Sequence, residues 1–196
     1  ASGTRVVKHV GILALQGNFA QHKAVLDKLR VSNSLVLYPE DLANCDLLII
    51  PGGESTAMSK QIDRKVFRSA LLEFVKEKPV FGTCAGMILL STTANSYNLS
   101  CLNAMNFEVD RNAYGAQINS FKADLDLEFN KKKKFKGYFI RAPKIISLSS
   151  DVIPVAYYKN DPVMVTNGFH YATSFHPEIG NDYRVHEYII NNLNEK

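Results

Sequence analysis

The chain has 196 residues, of which 46% are hydrophobic and 21% are charged, and its formal net charge at pH 7 is +4. This composition is ordinary for a folded globular protein and excludes intrinsic disorder as the main state. No run of about 18 apolar residues, the length that spans a membrane, occurs in the sequence. We expect one domain, residues 1–196, located in the cytoplasm, with neither a membrane nor a nucleic acid as partner.

Part of the positive charge is concentrated in one run of four lysines, Lys131–Lys134. A surface that binds nucleic acid instead has basic residues spread over one face, together with aromatic side chains that stack on bases. We interpret the run as a solvated loop between two strands, so the basic composition does not indicate a function.

The three cysteines, Cys45, Cys84 and Cys101, are widely and irregularly spaced. A disulfide framework has an even number of cysteines, and a zinc site requires ligand pairs at short spacing. We therefore expect a reducing compartment, no metal and no cofactor. A cysteine with a chemical role must owe that role to its neighbours.

Short apolar strands alternate with amphipathic helices in the first half of the chain. The predicted strands are Val6–Leu15, Leu35–Tyr38, Leu47–Ile50 and Pro79–Phe81. The first predicted helix has one apolar stripe at helical spacing, His22, Val25, Leu26 and Leu29, and a later one has another, Phe67, Ala70, Leu71, Phe74 and Val75. Asp63 is the predicted cap of that later helix, and a third helix begins at Ala85.

The second half reads as strands separated by turns: Phe107–Arg111, Ile118–Leu127, Tyr138–Arg141, Val152–Tyr158, Val163–Asn167 and Tyr171–Phe175. A last helix is predicted after Asp182, which we expect to cap it. Apolar strands that alternate with helices indicate a parallel sheet covered on both faces. The predicted fold is α/β, a three-layer sandwich with a mostly parallel central sheet and an antiparallel excursion in the C-terminal half.

The segment Gly82-Thr83-Cys84-Ala85-Gly86 places a cysteine between two glycines, at the junction of a predicted strand and a predicted helix. The glycines permit a sharp turn that pushes the central side chain out above the sheet. The helix that begins at Ala85 directs its free N–H groups and its positive dipole end toward the sulfur, which favours the thiolate. We predict that Cys84 is a nucleophile; the alternative is a small cysteine buried among glycines.

A cysteine nucleophile requires a base, and the base requires a group that holds its tautomer. His176 ends an apolar strand and is followed by Pro177 and Glu178. Residues two apart in an extended chain project to the same side, about 6.5–7 Å apart, so the Glu178 carboxylate can accept a hydrogen bond from the His176 ring. The other histidines are expected in turns, in packing or at the surface: His9, His22, His170 and His186.

The loop Pro51-Gly52-Gly53-Glu54-Ser55-Thr56 follows the third predicted strand. Because the carboxyl ends of parallel strands share one edge of a sheet, this loop, Cys84 and the turn Gln16-Gly17 should meet there. Paired glycines leave backbone N–H groups unobstructed, as an oxyanion site requires. A phosphate-binding loop is the alternative, but its Gly-x-x-x-x-Gly-Lys-Ser/Thr pattern is absent and the Glu54 carboxylate would repel a phosphate.

Together these motifs resemble the triad-type, or class I, glutamine amidotransferases. The segments that carry the resemblance are Leu15-Gln16-Gly17, the Pro51–Thr56 loop, the Gly82–Gly86 turn and Phe175-His176-Pro177-Glu178. Two further segments, Arg111-Asn112-Ala113-Tyr114-Gly115 and Phe139-Ile140-Arg141-Ala142-Pro143, are similar to those of the glutaminase subunits of pyridoxal 5′-phosphate synthases. The resemblance extends from about Val10 to Leu193 and implies a class I glutamine amidotransferase-like fold.

The resemblance implies hydrolysis of L-glutamine, with Cys84 as nucleophile, His176 as base and acid, and Glu178 as the orienting partner of the histidine. The implied oxyanion donors are backbone N–H groups of Gly52, Gly53 and Ala85. The implied glutamine contacts are Gly53, Glu54, Ser55, Arg111, Ile140 and Arg141, beside the loop of Gln16 and Gly17. The implied partner is a synthase subunit with a (β/α)8 barrel, in a large multi-subunit complex, which receives the ammonia.

Two positions depart from that pattern, since Ala116 stands where the family commonly has arginine and Gln21 where it commonly has glutamate. Three other interpretations remain open: a glutaminase for another ammonia-using synthase, such as the imidazole glycerol phosphate type, a catalytically silent regulatory subunit, and a hydrolase of esters or thioesters. The two arginine motifs argue against the first and third of these. The presence of Cys84, His176 and Glu178 together argues against the second.

Overall fold

The computed structural model of the protein describes residues 6–95, 100–110 and 120–193. The first half consists of β1 (Val10–Leu13), α1 (Phe19–Lys28), β2 (Asn33–Val36), a 3-10 helix (Pro39–Asn44), β3 (Leu47–Ile50), α2 (Ser55–Arg64), α3 (Arg68–Glu77), β4 (Val80–Thr83), α4 (Ala85–Leu90) and β5 (Thr93–Asn95). The second half consists of β6 (Phe107–Asp110), β7 (Ser120–Leu127), β8 (Phe135–Ile140), β9 (Lys144–Leu148), β10 (Ile153–Tyr158), β11 (Asp161–Thr166), β12 (Tyr171–Thr173) and α5 (Arg184–Asn191).

Among the described residues, nine strands form one large sheet in the order β2-β1-β3-β4-β12-β11-β10-β7-β8. In this order, each pair of adjacent strands from β2 to β12 is parallel. Each pair of adjacent strands from β12 to β8 is antiparallel. A smaller sheet contains β5, β6 and β9. The predicted parallel sheet with an antiparallel excursion is therefore confirmed, and the excursion extends one edge of the large sheet.

The large sheet has a hydrophobic core on each face, because its parallel strands are apolar on both sides. In β3, Leu48 and Ile50 pack into one core together with side chains of α2, α3 and α4. Leu47 and Ile49 point the other way and pack with side chains of α1 and α5. This alternation follows from the two-residue period of a strand and produces the three predicted layers.

Local predictions near helix ends were less accurate. Asp63 does not cap the helix that contains Phe74, because it lies inside α2, which the sequence analysis did not predict. Its carboxylate instead accepts a hydrogen bond from the Arg68 guanidinium over 2.8 Å. Asp182 is likewise not the N-cap residue of α5, which is Tyr183, although its carboxylate accepts from the backbone N–H of Arg184.

The Lys131–Lys134 run lies in the loop between β7 and β8, and all four residues are exposed, as predicted. Arg184 connects this loop to α5 by donating hydrogen bonds to the carbonyls of Lys133 and Lys134. The strands β5 and β9 were not predicted, and the predicted strand residues Arg111, Ile118 and Asn119 lie outside the described residues. In the part of the chain that the structure describes, no helix has the length and apolar character to cross a membrane.

Candidate active site

Three adjacent parallel strands of the large sheet end at the same edge, and each is followed by a segment that the sequence singled out. The strand β3 leads into Pro51–Gly53, β4 leads into Cys84, and β12 ends at Thr173, two residues before Phe175 and three before His176. The strand β4 lies between the other two in parallel register. The carboxyl edge of a parallel sheet is where ligands bind in folds of this type.

Cys84 occupies a sharp turn between β4 and α4. Its φ is 51° and its ψ is −104°, a left-handed conformation that costs a non-glycine residue about 1–2 kcal/mol. The backbone N–H of Cys84 donates to the Thr173 carbonyl over 2.8 Å, which holds the turn against β12. The two flanking glycines are required sterically, because a Cβ on Gly82 would lie 2.5 Å from the Gly86 carbonyl and one on Gly86 would lie 2.1 Å from the Ile50 oxygen.

His176 and Glu178 are joined as predicted. The Nδ1 atom of His176 lies 2.7 Å from the Oε2 atom of Glu178, and both side chains are buried. The same carboxylate oxygen accepts a hydrogen bond from the side-chain amide of Asn18 over 2.9 Å. The backbone N–H of His176 donates to the Tyr138 carbonyl over 2.8 Å, so β8 also supports this segment.

Cys84 lies against His176 at Gly52. A Cβ added to Gly52 would be 2.4 Å from the Cε1 atom of His176 and 3.0 Å from the Cβ of Cys84, so both side chains converge on this glycine. The sulfur of Cys84 lies 3.7 Å from the carbonyl oxygen of Ile140. The structure therefore brings together Cys84, His176 and Glu178, as the sequence analysis expected.

The charges of the two titratable partners follow from these contacts. Burial alone would lower the pKa of His176, but hydrogen bonds with Cys84 and Glu178 outweigh burial and raise this pKa to about 10. Burial alone would raise the pKa of Glu178, but the adjacent His22 ring, the charge of His176 and hydrogen bonds from His176 and Asn18 lower it to about 2. At neutral pH the pair is thus an imidazolium and a carboxylate.

The loop that contains Gln16 and Gly17 also reaches this edge. The backbone N–H of Asn18 donates to the Gly52 carbonyl over 3.0 Å. Gly17 has a φ of 86°, and a Cβ there would lie 1.5 Å from the Gly52 oxygen, so the two loops touch backbone to backbone. Gly53 is close to the same loop, since a Cβ on it would be 2.9 Å from the Gly17 Cα.

Glu54 caps the helix α2. Its carboxylate accepts hydrogen bonds from the backbone N–H groups of Thr56 and Ala57, and these contacts lower its pKa, with the bond from Ala57 the largest cause. Ser55 is the first residue of that helix. Both residues therefore follow the glycine loop on a helix start that is stabilised by a charged cap.

Ile140 and Arg141 lie where β8 ends. Ile140 is 43% exposed, while its carbonyl oxygen faces the Cys84 sulfur. Arg141 has a φ of 46° and an exposed side chain, without an ion-pair partner in the part of the chain that the structure describes. Arg111, which the sequence analysis expected in the same site, lies outside the described residues.

Three residues at this site were not predicted to be there. Asn18 donates to Glu178, while His22 of α1 and His186 of α5 lie behind Glu178 in the core. The sequence contained a weak signal for His22, because it interrupts an otherwise apolar helix stripe with a polar ring. In residues 6–95, 100–110 and 120–193 no group of His, Cys, Asp and Glu side chains is placed to hold a metal ion.

The chain is similar to curated proteins along nearly its whole length. The pyridoxal 5′-phosphate synthase subunit PdxT of Thermosipho africanus is 40% identical over 183 residues, which cover 93% of this chain and 97% of that protein. The protein of the same name in Francisella tularensis subsp. holarctica is 41% identical over 185 residues, covering 94% of this chain and 99% of the relative.

Solved structures share the fold. A crystal structure of a glutamine amidotransferase superposes with a TM-score of 0.85 at 38% identity, over 92% of this chain and 96% of that one. The structure of PurLQS from Thermotoga maritima, at 16% identity, matches with a TM-score of 0.64 over 93% of this chain and 97% of that one. These matches confirm the class I glutamine amidotransferase-like fold. The profile of the SNO glutamine amidotransferase family matches residues 12–195, and the chain therefore belongs to that family.

Proposed function

We propose that this chain is the glutaminase subunit of a pyridoxal 5′-phosphate synthase, in which it hydrolyses L-glutamine to L-glutamate and ammonia for vitamin B6 biosynthesis. The observation that carries the proposal is the convergence of Cys84, His176 and Glu178 at the carboxyl edge of the sheet. The family to which the chain belongs and the name of its relatives, pyridoxal 5′-phosphate synthase subunit PdxT, support the same activity.

Cys84 is the proposed nucleophile. Its thiolate attacks the side-chain amide carbon of glutamine, and backbone N–H groups of Ala85 and of Gly52 or Gly53 stabilise the oxyanion. Removal of one such donor typically costs about 2.7–4 kcal/mol of activation free energy. His176 then protonates the departing ammonia. The glutamyl group remains bound to Cys84 as a thioester.

His176 acts a second time when the thioester is hydrolysed. The ring, now neutral, removes a proton from water, and the resulting hydroxide attacks the thioester carbon. Collapse of the second oxyanion releases glutamate and restores the thiolate and the imidazolium. Glu178 accepts the Nδ1–H of His176 throughout, so that Nε2 is the nitrogen that exchanges protons.

Recognition of glutamine requires partners for its α-carboxylate and its α-ammonium group. We assign these contacts to Gly53, Glu54, Ser55, Arg111, Ile140 and Arg141. The planar guanidinium of Arg141 matches a carboxylate in two parallel hydrogen bonds, and it is not already engaged in an ion pair among the described residues. The Glu54 carboxylate stays ionised because two backbone N–H groups stabilise its charge, which suits it to the ammonium.

Ammonia in water at neutral pH is mostly ammonium, which is not a nucleophile. The product must therefore pass to the synthase subunit before it meets solvent. We propose a (β/α)8-barrel synthase subunit that docks on this edge of the sheet, in a large multi-subunit complex in the cytoplasm. In that complex one glutaminase domain, residues 1–196, supplies each ammonia.

The test is glutamine turnover with and without Cys84. The complex of this chain with its synthase subunit should release glutamate and form pyridoxal 5′-phosphate from glutamine. The Cys84→Ala complex should do neither, yet should still form pyridoxal 5′-phosphate from an ammonium salt. Rescue by ammonium separates loss of the glutaminase from loss of the complex.

The matched control is Cys101→Ala. Cys101 is half-buried with its sulfur 3.5 Å from the Ser91 hydroxyl, and none of the contacts described at the site involve it. This variant should keep wild-type turnover. Glutamine hydrolysis that survives in Cys84→Ala would contradict the proposal, as would a wild-type complex that uses ammonium but never glutamine.

A further inference from the structure

Two histidines lie behind Glu178, in the interior between α1, α5 and the sheet. His22 of α1 is 0% exposed and His186 of α5 is 1% exposed. Both rings contact the edge or face of Phe81 in β4, with ring centroids 6.1 and 5.5 Å away. A buried polar ring with no function is uncommon unless its nitrogen atoms have partners, so the surroundings of these two rings are informative.

The two rings extend the series of contacting side chains that runs from Cys84 through His176 to Glu178. The Nε2 atom of His186 lies 2.9 Å from Nδ1 of His22. The Nε2 atom of His22 lies 3.5 Å from Oε1 of Glu178 and 3.4 Å from the Thr83 hydroxyl. The other carboxylate oxygen, Oε2, is the one that contacts His176 and Asn18. Glu178 is therefore held between two histidines, one on each oxygen.

Oε1 of Glu178 is fully buried and makes no hydrogen bond within normal geometry among the described residues. The Nε2 atom of the buried His22 ring lies 3.5 Å from this oxygen. A buried carboxylate oxygen without a donor is costly, and the side chain can lower that cost by rotating. Rotation would move Oε2 away from His176, so the group that faces Oε1 determines whether the His176 contact persists.

Both buried rings are neutral at neutral pH. Burial lowers the pKa of His22, against the opposing effect of Glu178, and burial together with His22 lowers the pKa of His186 to about 3. Each neutral ring carries a single N–H, so the positions of the two protons must be inferred from the surroundings.

Two observations assign those protons. A bare Nε2 on His22 could accept a hydrogen bond from the Thr83 hydroxyl, but it would also direct its lone pair at the Glu178 carboxylate, which is repulsive. That same arrangement would place the His186 proton on Nδ1, which is buried and without a partner among the described residues. Buried N–H groups without acceptors are rarer than buried acceptors without donors. His186 therefore donates through Nε2 to His22, and His22 presents its own Nε2–H to Glu178.

We propose that His22, with its ring orientation set by His186, is a positioning residue that holds the Glu178 carboxylate against His176. The N–H of His22 stabilises Oε1, which keeps Oε2 on the Nδ1–H of His176. The inference rests on the proposed glutaminase mechanism, in which Glu178 stabilises the imidazolium of His176. Neither histidine contacts the substrate, so their effect is on the charge and orientation of the groups that do.

The test compares His22→Gln with His22→Asn. The amide nitrogen of glutamine reaches about as far as the imidazole Nε2 and can still donate to Glu178, whereas that of asparagine reaches only as far as Nδ1. Both replacements are polar and of similar size. The matched control is His170→Asn, at another buried histidine, whose ring contacts the backbone of Val75 and Val80.

Two readouts are measured for each variant. The first is glutaminase kcat and KM in the complex with the synthase subunit. The second is the pH dependence of Cys84 alkylation by iodoacetamide, followed by peptide mass spectrometry. Alkylation requires the thiolate, which the imidazolium of His176 stabilises, and it requires neither glutamine nor a partner.

We expect His22→Asn to lose about 10–100-fold in kcat, as is typical when a residue that orients a catalytic side chain is replaced, with KM unchanged. Its alkylation midpoint should move to higher pH. His22→Gln should recover most of both properties, and His170→Asn should match the wild type in both even if it unfolds more easily. Equal losses in His22→Gln and His22→Asn, or an unchanged midpoint in His22→Asn, would overturn the proposal. A wild type that is alkylated normally but never hydrolyses glutamine would instead refute the proposed function.

Discussion

Two residues of the candidate site, Cys84 and Arg141, have positive φ angles of 51° and 46°. Each conformation costs a non-glycine residue about 1–2 kcal/mol and persists only where the surroundings enforce it. At Cys84 the hydrogen bond to Thr173 and the close approach of Gly86 to Ile50 provide that enforcement. Both residues follow directly after strands, Cys84 after β4 and Arg141 after β8.

Arg141→Ala should raise the KM for glutamine strongly and change kcat little, because the guanidinium is proposed to bind the α-carboxylate in the ground state and the transition state alike. The measurement is steady-state glutaminase kinetics with the synthase subunit present. Arg141→Lys should give an intermediate KM, since lysine keeps the charge without the planar fork.

Arg141→Gly is the matched control for the backbone. It should raise KM as much as Arg141→Ala, while its free energy of unfolding exceeds that of the alanine variant by about 1 kcal/mol, since glycine adopts a positive φ without strain. A KM that stays at the wild-type value in the alanine variant would remove Arg141 from the glutamine site.

The residues that were missed show why a sequence alone identifies the triad more readily than its support. His176 and Glu178 are two positions apart, and extended geometry brings them together. Asn18 and Glu178 are 160 positions apart, and His22 and His186 are 164 apart, although each pair is in contact. No local period predicts such a contact, because it depends on which strands are neighbours in the sheet.

At the level of elements, the site is a meeting of loops that permit almost no added volume. The loop after β3 and the loop before α1 contact each other through Gly52 and Gly17, and the Asn18 N–H donates to the Gly52 carbonyl. Gly52 also lies against Cys84 and His176. The glycines thus let two loops and two side chains occupy one small volume at the sheet edge.

Gly52→Ala should abolish glutaminase turnover, because its methyl group would lie 2.4 Å from Cε1 of His176 and must displace the ring. The expected loss in kcat is at least about 100-fold, comparable with removal of one oxyanion donor. The measurement is glutamate release in the complex, together with thermal unfolding of the variant to establish that it is folded.

Gly180→Ala is the corresponding control. Gly180 also has a positive φ, of 94°, but among the described residues a Cβ there would meet only the Tyr138 side chain, at 3.6 Å. This variant should lose about 1 kcal/mol of unfolding free energy and keep its activity. If both glycine variants retained activity, the close packing at Gly52 would not be needed for catalysis.

The strands and helices themselves were predictable to different degrees. β3 was predicted with its observed bounds, because a short, fully apolar segment that ends at Pro51 and Gly52 is typical of a buried strand. Helix starts were less predictable, because an acidic residue that could cap a helix can also form other contacts. Asp63 lies inside α2 and binds Arg68. The cap of α2 is Glu54, a residue that the resemblance had associated with the substrate.

At the level of the whole molecule, the buried histidines connect the stability of the fold to pH. His22 and His186 lie in the core between the large sheet and the helices α1 and α5. The folded state holds both rings neutral, so their pKa values are lowered below the unfolded value of 6.5. Their contribution to stability is therefore full above pH 6.5 and is lost as the pH falls toward the lowered values.

The lowered pKa values of His22 and His186 should decrease the free energy of unfolding as the pH falls from 7 to 5.5, while the raised pKa of His176, about 10, acts in the opposite direction over the same interval. Each histidine whose folded pKa lies below that range contributes about 1 kcal/mol to the decrease. His186→Gln keeps an N–H donor for Nδ1 of His22 but does not titrate. Its loss of stability over the same interval should therefore be smaller than that of the wild type by about 1 kcal/mol.

The measurement is chemical denaturation at pH 7 and at pH 5.5, for the wild type and for His186→Gln. Parallel decreases in the two proteins would show that His186 takes up no additional proton on unfolding. The decrease over this interval would then come from other groups such as His22, because the lowered pKa of Glu178 affects stability only below its ordinary value of 4.5.

The amino-acid sequence by itself determined the α/β class, the strand that precedes each site loop, and the identity of the nucleophile motif and its histidine–glutamate pair. These are local properties, set by apolar periodicity, by glycine in tight turns and by two-residue spacing. Only the tertiary structure decided that Asn18, His22 and His186 surround Glu178, and that Glu54 caps a helix. The reason is physical: the parallel order of β1, β3, β4 and β12 brings distant loops to one edge, and strand order is not encoded in any local pattern.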